Sequence, residues 1–297
     1  MKIIKKHIVK KEIKTLVRAT EYIHENFDYF KTKSAVKKAL KKHHILINGE
    51  ICLTGTHIKR GQLIEILEEN TANFKIFKLK IPVIFEDEFI AVINKPPGIS
   101  VSGNYFKTVQ NALPFNLKKS AQKDALPVPL PAHRLDNQTS GLLIIAKTRT
   151  ARIHLGKQFE EKNIQKKYNA VVIGTPEKNG IISFPVNGKN ALTRYELVKT
   201  EKSLRNGYLS LINLYPLTGR THQLRIHCEQ SGFPILGDKL YNGGLPVFKG
   251  KGLFLSATEI AFNHPVTEKS LKFLIPYPQK FDTVIKREKE RYFRSKF

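Results

Sequence analysis

His133-Arg134-Leu135-Asp136-Asn137-Gln138-Thr139-Ser140-Gly141-Leu142 is the stretch on which the reading of this chain turns. It sets an arginine two places before an aspartate, then a run of polar turn formers. An apolar strand, Leu142-Leu143-Ile144-Ile145-Ala146, follows. A carboxylate at a strand-edge turn with a guanidinium beside it suits a reactive group held near a phosphate backbone. Taken alone, Asp136 is equally explained by an Asx turn, in which the carboxylate accepts from backbone N–H groups two residues on. The choice between the two has to come from the rest of the sequence.

Composition points to a polyanionic partner. Lys plus Arg number 51 against 25 Asp plus Glu, a net charge of +26 over 297 residues. A field of that sign and size favours nucleic acid. An anionic membrane surface is the weaker candidate, because no apolar run is long enough for a spanning helix. Cys52 and Cys228 are the only cysteines and lie far apart, so neither a disulfide framework nor a thiolate metal site is implied. The basic start, Met1-Lys2-Ile3-Ile4-Lys5-Lys6, lacks the apolar core of a signal peptide. A cytoplasmic protein is expected, and a monomer.

Outward from the motif toward the N-terminus, the spacing of Ala35, Val36, Ala39 and Leu40 predicts a helix over Thr32–Lys42, with Lys33, Lys37, Lys38, Lys41 and Lys42 on its other faces. Asn48-Gly49 between Ile45-Leu46-Ile47 and Ile51-Cys52-Leu53 predicts a hairpin. His57–Ile66 adds a turn and a further strand. Residues 71–82 read as a linker or a bridging strand. A second composition begins at Val83, with strands on either side of the acidic turn Glu86-Asp87-Glu88, ended by Asn94-Lys95-Pro96-Pro97-Gly98. Residues 102–131 read as irregular, with Pro127, Pro129 and Pro131 keeping the approach to His133 extended.

Beyond the motif, Ala151, Leu155 and Phe159 predict a helix over 150–163, followed by a strand over Lys166–Ile173. Within that strand Tyr168 shares a face with Ala170 and Val172, which turns its ring inward. Further elements are a strand at Tyr208–Leu214, a short helix over Thr221–Gln230 and a basic helix from Lys286. Strands outnumber helices and the connections are irregular, so the fold class is α+β on a mixed, mainly antiparallel sheet. A reacting carboxylate has to carry its charge, and Arg225 is the candidate cation beside Asp136. No metal and no nucleotide cofactor is expected. His222 and His227 are five apart rather than the four of a helical metal pair, and no glycine-rich phosphate loop is present.

The stretch around Asp136 resembles the HRLDxxTSG motif of the RluA family of RNA pseudouridine synthases. Three further stretches match that family in the same order: NKPPG at 94–98, KKYNAVVIG at 166–174, and LTGRTHQLRIHCEQSGFPILGD at 217–238, where Leu224 replaces the family's Ile. The resemblance implies a catalytic domain over 80–297 that isomerises uridine in ribosomal RNA or tRNA. It implies Asp136 as catalytic residue, with Tyr168 beside the uracil and Arg225 paired to the Asp. Arg134 would stack on, or fill the gap left by, a flipped-out base, and Arg220 and His222 would complete the RNA contacts. The basic helix and hairpin are similar to the small RNA-binding module named after ribosomal protein S-four, which implies a domain over 1–75 gripping RNA through Lys33, Lys37, Lys38 and Lys41. That module often carries Arg where Lys33 stands, so the planar phosphate fork is missing there. The competing reading is a non-catalytic RNA-binding ribosome-assembly factor on the same scaffold.

Overall fold

The structure is a computed structural model that describes residues 3–10, 17–30, 32–67, 74–246 and 250–296. They fall into two compact units, 1–74 and 75–297.

In the first unit, β1 (Ile3–Ile8), β2 (Val17–Arg18) and α1 (Ala19–Asn26) precede α2 (Lys33–Lys41). The side chain of Thr32 caps α2 by accepting from Ala35 N–H at 3.1 Å. Val36 and Leu40 are the buried stripe of α2, packed with Ile23, Phe27, Ile45 and Ile64. Strands β3 (Ile45–Ile47) and β4 (Glu50–Ile51) form the expected hairpin. Asn48 and Gly49 both have positive φ, 51° and 82°, the geometry of a twisted two-residue turn. Strands β5 (His57–Ile58) and β6 (Leu63–Leu67) complete the unit, with sheet order β1-β6-β3-β4 and a separate β2-β5 pair. Of the expected linker, residues 71–73 lie outside the described residues, and 74–82 form no strand.

The second unit is built on one long sheet. Its elements are β7 (Val83–Glu86), β8 (Ile90–Lys95), α3 (Val109–Asn116), β9 (Ala125–Pro131), β10 (Ser140–Thr148), α4 (Arg149–Glu160), β11 (Gln165–Ile173), β12 (Asn179–Ile182), β13 (Thr193–Ser203), β14 (Gly207–Pro216), α5 (Gln223–Gln230), β15 (Leu255–Asn263), β16 (Ser270–Leu274) and α6 (Lys280–Arg294). The order is β12-β13-β14-β11-β15-β10-β8-β7, with β16 on β15 and β9 on β10. All pairings are antiparallel except β10 with β15, so the expected mixed, mainly antiparallel sheet is present.

Strand β10 reads as a continuous apolar run because both its faces are covered. Leu143 and Ile145 pack with Val109, Ala112 and Leu113 of α3. Leu142, Ile144 and Ala146 pack with Ala151 and Leu155 of α4. The parallel contact to β15 has only two residue pairs, Ser140 with Ser256 and Gly141 with Ala257. Gly141 has φ +114°, and a Cβ there would lie 2.1 Å from the Ala257 carbonyl oxygen. The glycine that follows Asp136 is therefore what lets the two strands meet.

Three expectations for this unit are corrected. Residues 102–131 are not irregular throughout: Thr108 caps α3 by accepting from Asn111 N–H, and β9 is a true strand. Its prolines do not prevent pairing: Ala132 N–H donates to Ile144 C=O, Pro131 stands opposite Ile145 and Leu130 opposite Ala146, and the ladder shifts register before Ala125 pairs with Thr148. The last helix begins at Lys280, six residues early, because Phe281, Val284 and Ile285 bury against the β13–β14 region. Strands β12, β13, β15 and β16 are not assigned by the sequence reading; β13 and β15 carry polar residues at both parities, and buried Thr193, Ser256 and Thr258 bond through their hydroxyls within the fold.

Two titratable groups, Lys95 buried and His133 half-buried, flank the approach to Asp136. Lys95, fully buried, donates from Nζ to the carbonyls of Pro96 (2.9 Å), Asn137 (3.0 Å) and Thr139 (2.8 Å). Burial pulls its pKa down to about 8, with the Asp136 charge opposing that shift. His133 Nε2 accepts the Ile144 N–H at 3.1 Å, which requires a neutral ring. Burial and nearby Lys166 push its pKa down to about 3.

Lys95→Met keeps the stem but strands three carbonyls, and should cost about 2–4 kcal/mol of unfolding free energy by urea denaturation; wild-type stability would refute the tie. For His133, the unfolded ring binds a proton at about pH 6.5 and the folded ring does not until about 3, so stability falls as pH drops below about 6.5. The urea midpoint should therefore fall less between about pH 7 and about pH 4.5 in His133→Asn than in wild type. Equal falls would show that His133 does not set this acid limb.

Candidate active site

The loop between β9 and β10 places Asp136 at the wall of a cavity of about 320 Å³. Arg134, Thr139, Tyr168, Arg220, His222 and Arg225 line the same cavity. Six of the residues singled out in the sequence, Asp136, Tyr168, Arg225, Arg134, Arg220 and His222, thus meet at one place. They come from the β9–β10 loop, from β11, from the β14–α5 turn and, for Arg225, from the first turn of α5. The four lysines Lys33, Lys37, Lys38 and Lys41 are exposed on α2 of the first unit.

The carboxylate of Asp136 is partly open, its side chain 18% exposed, and among the described residues it accepts no backbone N–H. An Asx turn is therefore not what this residue makes. Its own backbone C=O accepts the Thr139 N–H at 3.1 Å, which closes the turn and leaves the side chain outside it. Two nitrogens face the carboxylate: Arg225 Nη1 is 3.8 Å from Oδ2, and His222 Nε2 is 3.8 Å from Oδ1. Both distances exceed a hydrogen bond, so neither side chain caps the oxygens, and the Arg225 charge acts on them electrostatically.

Arg225 is not a surface arginine. It is 7% exposed, and its guanidinium makes a bidentate pair with Asp238 instead, Nε to Oδ2 at 2.6 Å and Nη2 to Oδ1 at 2.7 Å. The sequence reading gave Arg225 to Asp136 alone; the fork belongs to Asp238, and only Nη1 is turned to Asp136. Asp238 also accepts the N–H groups of Leu240 (2.9 Å) and Tyr241 (3.0 Å). Burial works against ionisation of Asp238, but Arg225 and these backbone donors outweigh it and hold its carboxyl below the usual range.

His222 sits in the left-handed region with φ 58°, a backbone position few non-glycine residues take. It precedes α5, and its ring bonds Tyr241 at 3.0 Å through Nδ1, which leaves Nε2 directed at Asp136. Gln223 fixes the turn. Its Oε1 accepts from Thr218 Oγ1 and Arg220 N–H, and its Nε2 donates to Leu192 C=O and Thr193 Oγ1. His227, left unassigned by the sequence reading, is buried between Thr193 Oγ1 (3.0 Å) and Phe184 C=O (2.9 Å) and does not reach the cavity. Arg220 donates through Nε to Asn190 C=O at 3.2 Å. Arg134 is exposed at the cavity wall and makes no ion pair among the described residues.

Tyr168 packs its ring between two cores, at a bulge where β11 shifts register against β15. Burial, with the Asp136 charge adding to it, drives the phenol pKa well above its ordinary value. The hydroxyl thus keeps its proton and offers a donor and a flat apolar face. The sequence reading missed Lys95, Gln223, Asp238 and Tyr241 as site residues. All four lie in matched stretches or directly after one, and their roles require partners 13 or more residues away or a buried environment that no local pattern shows.

A profile of the family described as RNA pseudouridylate synthase matches residues 89–230. An uncharacterized RNA pseudouridine synthase of Aquifex aeolicus is 31% identical over 281 residues, covering 85% of this chain and 88% of that protein. Ribosomal large subunit pseudouridine synthase C of Vibrio cholerae is 31% identical over 278 residues, covering 82% and 84%. In fold, the second unit's architecture is shared with human RNA pseudouridylate synthase domain containing 4, at a TM-score of 0.56 and 24% identity over 69% of this chain and 92% of that one. With its cavity assembled from three of the four matched stretches and its similarity running through most of both bacterial relatives, the chain belongs to the RluA-type family of RNA pseudouridine synthases and is an enzyme of that class.

Proposed function

We propose that this enzyme converts uridine to pseudouridine in large-subunit ribosomal RNA, with Asp136 as its catalytic residue. The observation that carries the reading is the cavity itself: Asp136 is the only carboxylate among the described residues lining it, and Arg225 and His222 each place a nitrogen 3.8 Å from its oxygens. The ribosomal target is taken from the similarity to the Vibrio cholerae synthase; tRNA is the second substrate class to be tested.

The reaction breaks the bond between N1 of uracil and C1′ of ribose, turns the base, and joins C5 to C1′. The C5 proton then leaves and N1 gains one, so no atom is exchanged with a second substrate. Bond cleavage at a sugar usually takes two carboxylates. One suffices here because the detached uracil stays bound and returns as nucleophile. Asp136 acts on the sugar, on the base, or on a ribose proton; each route needs an uncapped carboxylate facing the nucleotide. Arg225, fixed by Asp238, keeps a positive charge beside it throughout. The Tyr168 ring lies against the uracil. Its phenol, protonated because it is buried, donates or relays a proton and is a poor base. The uridine has to leave its stack to enter, and Arg134 takes up the exposed neighbours with its planar guanidinium.

The first unit is an RNA grip of the S-four type, working through Lys33, Lys37, Lys38 and Lys41 on α2. We place the enzyme in the cytoplasm as a monomer needing no cofactor.

Asp136→Ala should lower pseudouridine formation in ribosomal RNA by roughly 10³-fold or more while RNA affinity stays near wild type. Pseudouridine mapping of total RNA from a deletion strain against its parent checks the target. A parent and deletion strain with identical maps would favour an assembly factor, and free uracil in the reaction would favour a nucleoside hydrolase. Replacing the four α2 lysines with alanine should weaken RNA binding and make the log–log salt slope shallower by roughly 3. An unchanged slope would remove α2 from the RNA contact.

A further inference from the structure

A second cavity, of about 1030 Å³, runs beside the catalytic one and shares Phe159, Lys166, Pro216, Thr218, Gly219 and Arg220 with it. Its volume is roughly three times the 320 Å³ of its neighbour. Arg194 and Tyr215 form part of its wall. They are directly opposed on β13 and β14, and the Arg194 guanidinium lies 4.0 Å from the centre of the Tyr215 ring. Glu196 holds both: it accepts the Tyr215 hydroxyl at 2.8 Å and pairs with the Arg194 guanidinium. The arginine is exposed yet pinned at two points, on a ring and by a carboxylate.

A cross-strand arginine and tyrosine can serve the sheet alone. Two further facts point to a ligand. The cavity also carries Lys162, Lys166 and Arg220 against a single lining carboxylate, Glu160, so its field is that of an anion site. It also begins at the wall of the pocket assigned to the target uridine, within reach of a neighbouring nucleotide of the same strand. A flat guanidinium backed by an aromatic ring is a surface on which a base stacks with little further ordering cost.

We propose that this cavity receives the nucleotide adjacent to the target uridine, its base stacked on the Arg194–Tyr215 platform and its phosphate near Lys162 and Arg220. The inference rests on the uridine reading of the neighbouring pocket. It makes Arg194 a residue that sets preference for an unpaired base beside the target.

The test is binding of a labelled, uridine-centred single-stranded RNA of about 12 nucleotides, with an abasic nucleotide placed in turn on either side of the centre. In wild type one neighbouring abasic position should weaken binding about tenfold. In Arg194→Ala that penalty should vanish. Arg194→Lys keeps the charge but loses the plane, and should lose the penalty as well. An abasic penalty of equal size in wild type and Arg194→Ala, or Arg194→Lys behaving as wild type, would overturn the proposal. Incubating wild type with large-subunit ribosomal RNA from cells lacking the protein separates the two readings. Pseudouridine formed without an Arg194-dependent penalty removes the stacking cavity alone. An Arg194-dependent penalty without pseudouridine supports the platform and removes the reaction assigned beside it.

Discussion

A guanidinium buried to 7% is tolerated only if its charge is answered at once, and in this enzyme Asp238 answers it with both oxygens. That pair does more than settle its own electrostatics. It consumes two nitrogens of Arg225 and fixes the third at 3.8 Å from Asp136, close enough to act by charge and too far to occupy an oxygen. Asp238 is itself held by two backbone N–H groups that follow it, the second of them from Tyr241, whose ring faces Arg225 at 5.0 Å and whose hydroxyl bonds His222. One ion pair therefore positions both side chains that face the Asp136 carboxylate.

The other side of the site is held by the opposite device. Lys95 places its charge among carbonyl oxygens rather than against a carboxylate. Its donors bind the Asn137 and Thr139 carbonyls, which follow Asp136, and the Pro96 carbonyl beside it, so the loop is tethered through main chain and the acidic side chain is spared. Had the ammonium reached Asp136 directly, it would have competed with the nucleotide. The two halves of the site thus share one device: the Lys95 ammonium and two of the three guanidinium nitrogens of Arg225 are engaged away from Asp136.

How much of this was legible beforehand depended on range. Asp136, Tyr168 and Arg225 stood in stretches whose residue order alone carried the resemblance, and Asn48-Gly49 announced its turn through backbone preference. The apolar spacing of α2 and α4 was likewise local. Lys95 and Asp238 gave no such sign, because a lysine before two prolines and an aspartate after a glycine read as surface until burial is known. The proline-rich β9 hides for a related reason: three prolines look like a barrier to pairing, and a register shift along the strand leaves no clean alternation to read. Strand β13 hid behind a register shift between Leu197 and Lys199 that breaks its alternation.

The contact between β10 and β15 is only two residue pairs long, and it lies at the end of the strands where the cavity opens. Asp136 belongs to one flank of that seam, and Tyr168 and Arg225 belong to the other. The far end is clasped by His264 and Asp87 at 2.9 Å. A side chain at position 141 would drive back the Ala257 backbone and part the two strands beside the cavity, so the width of that seam is set by the one residue with nothing to put in it.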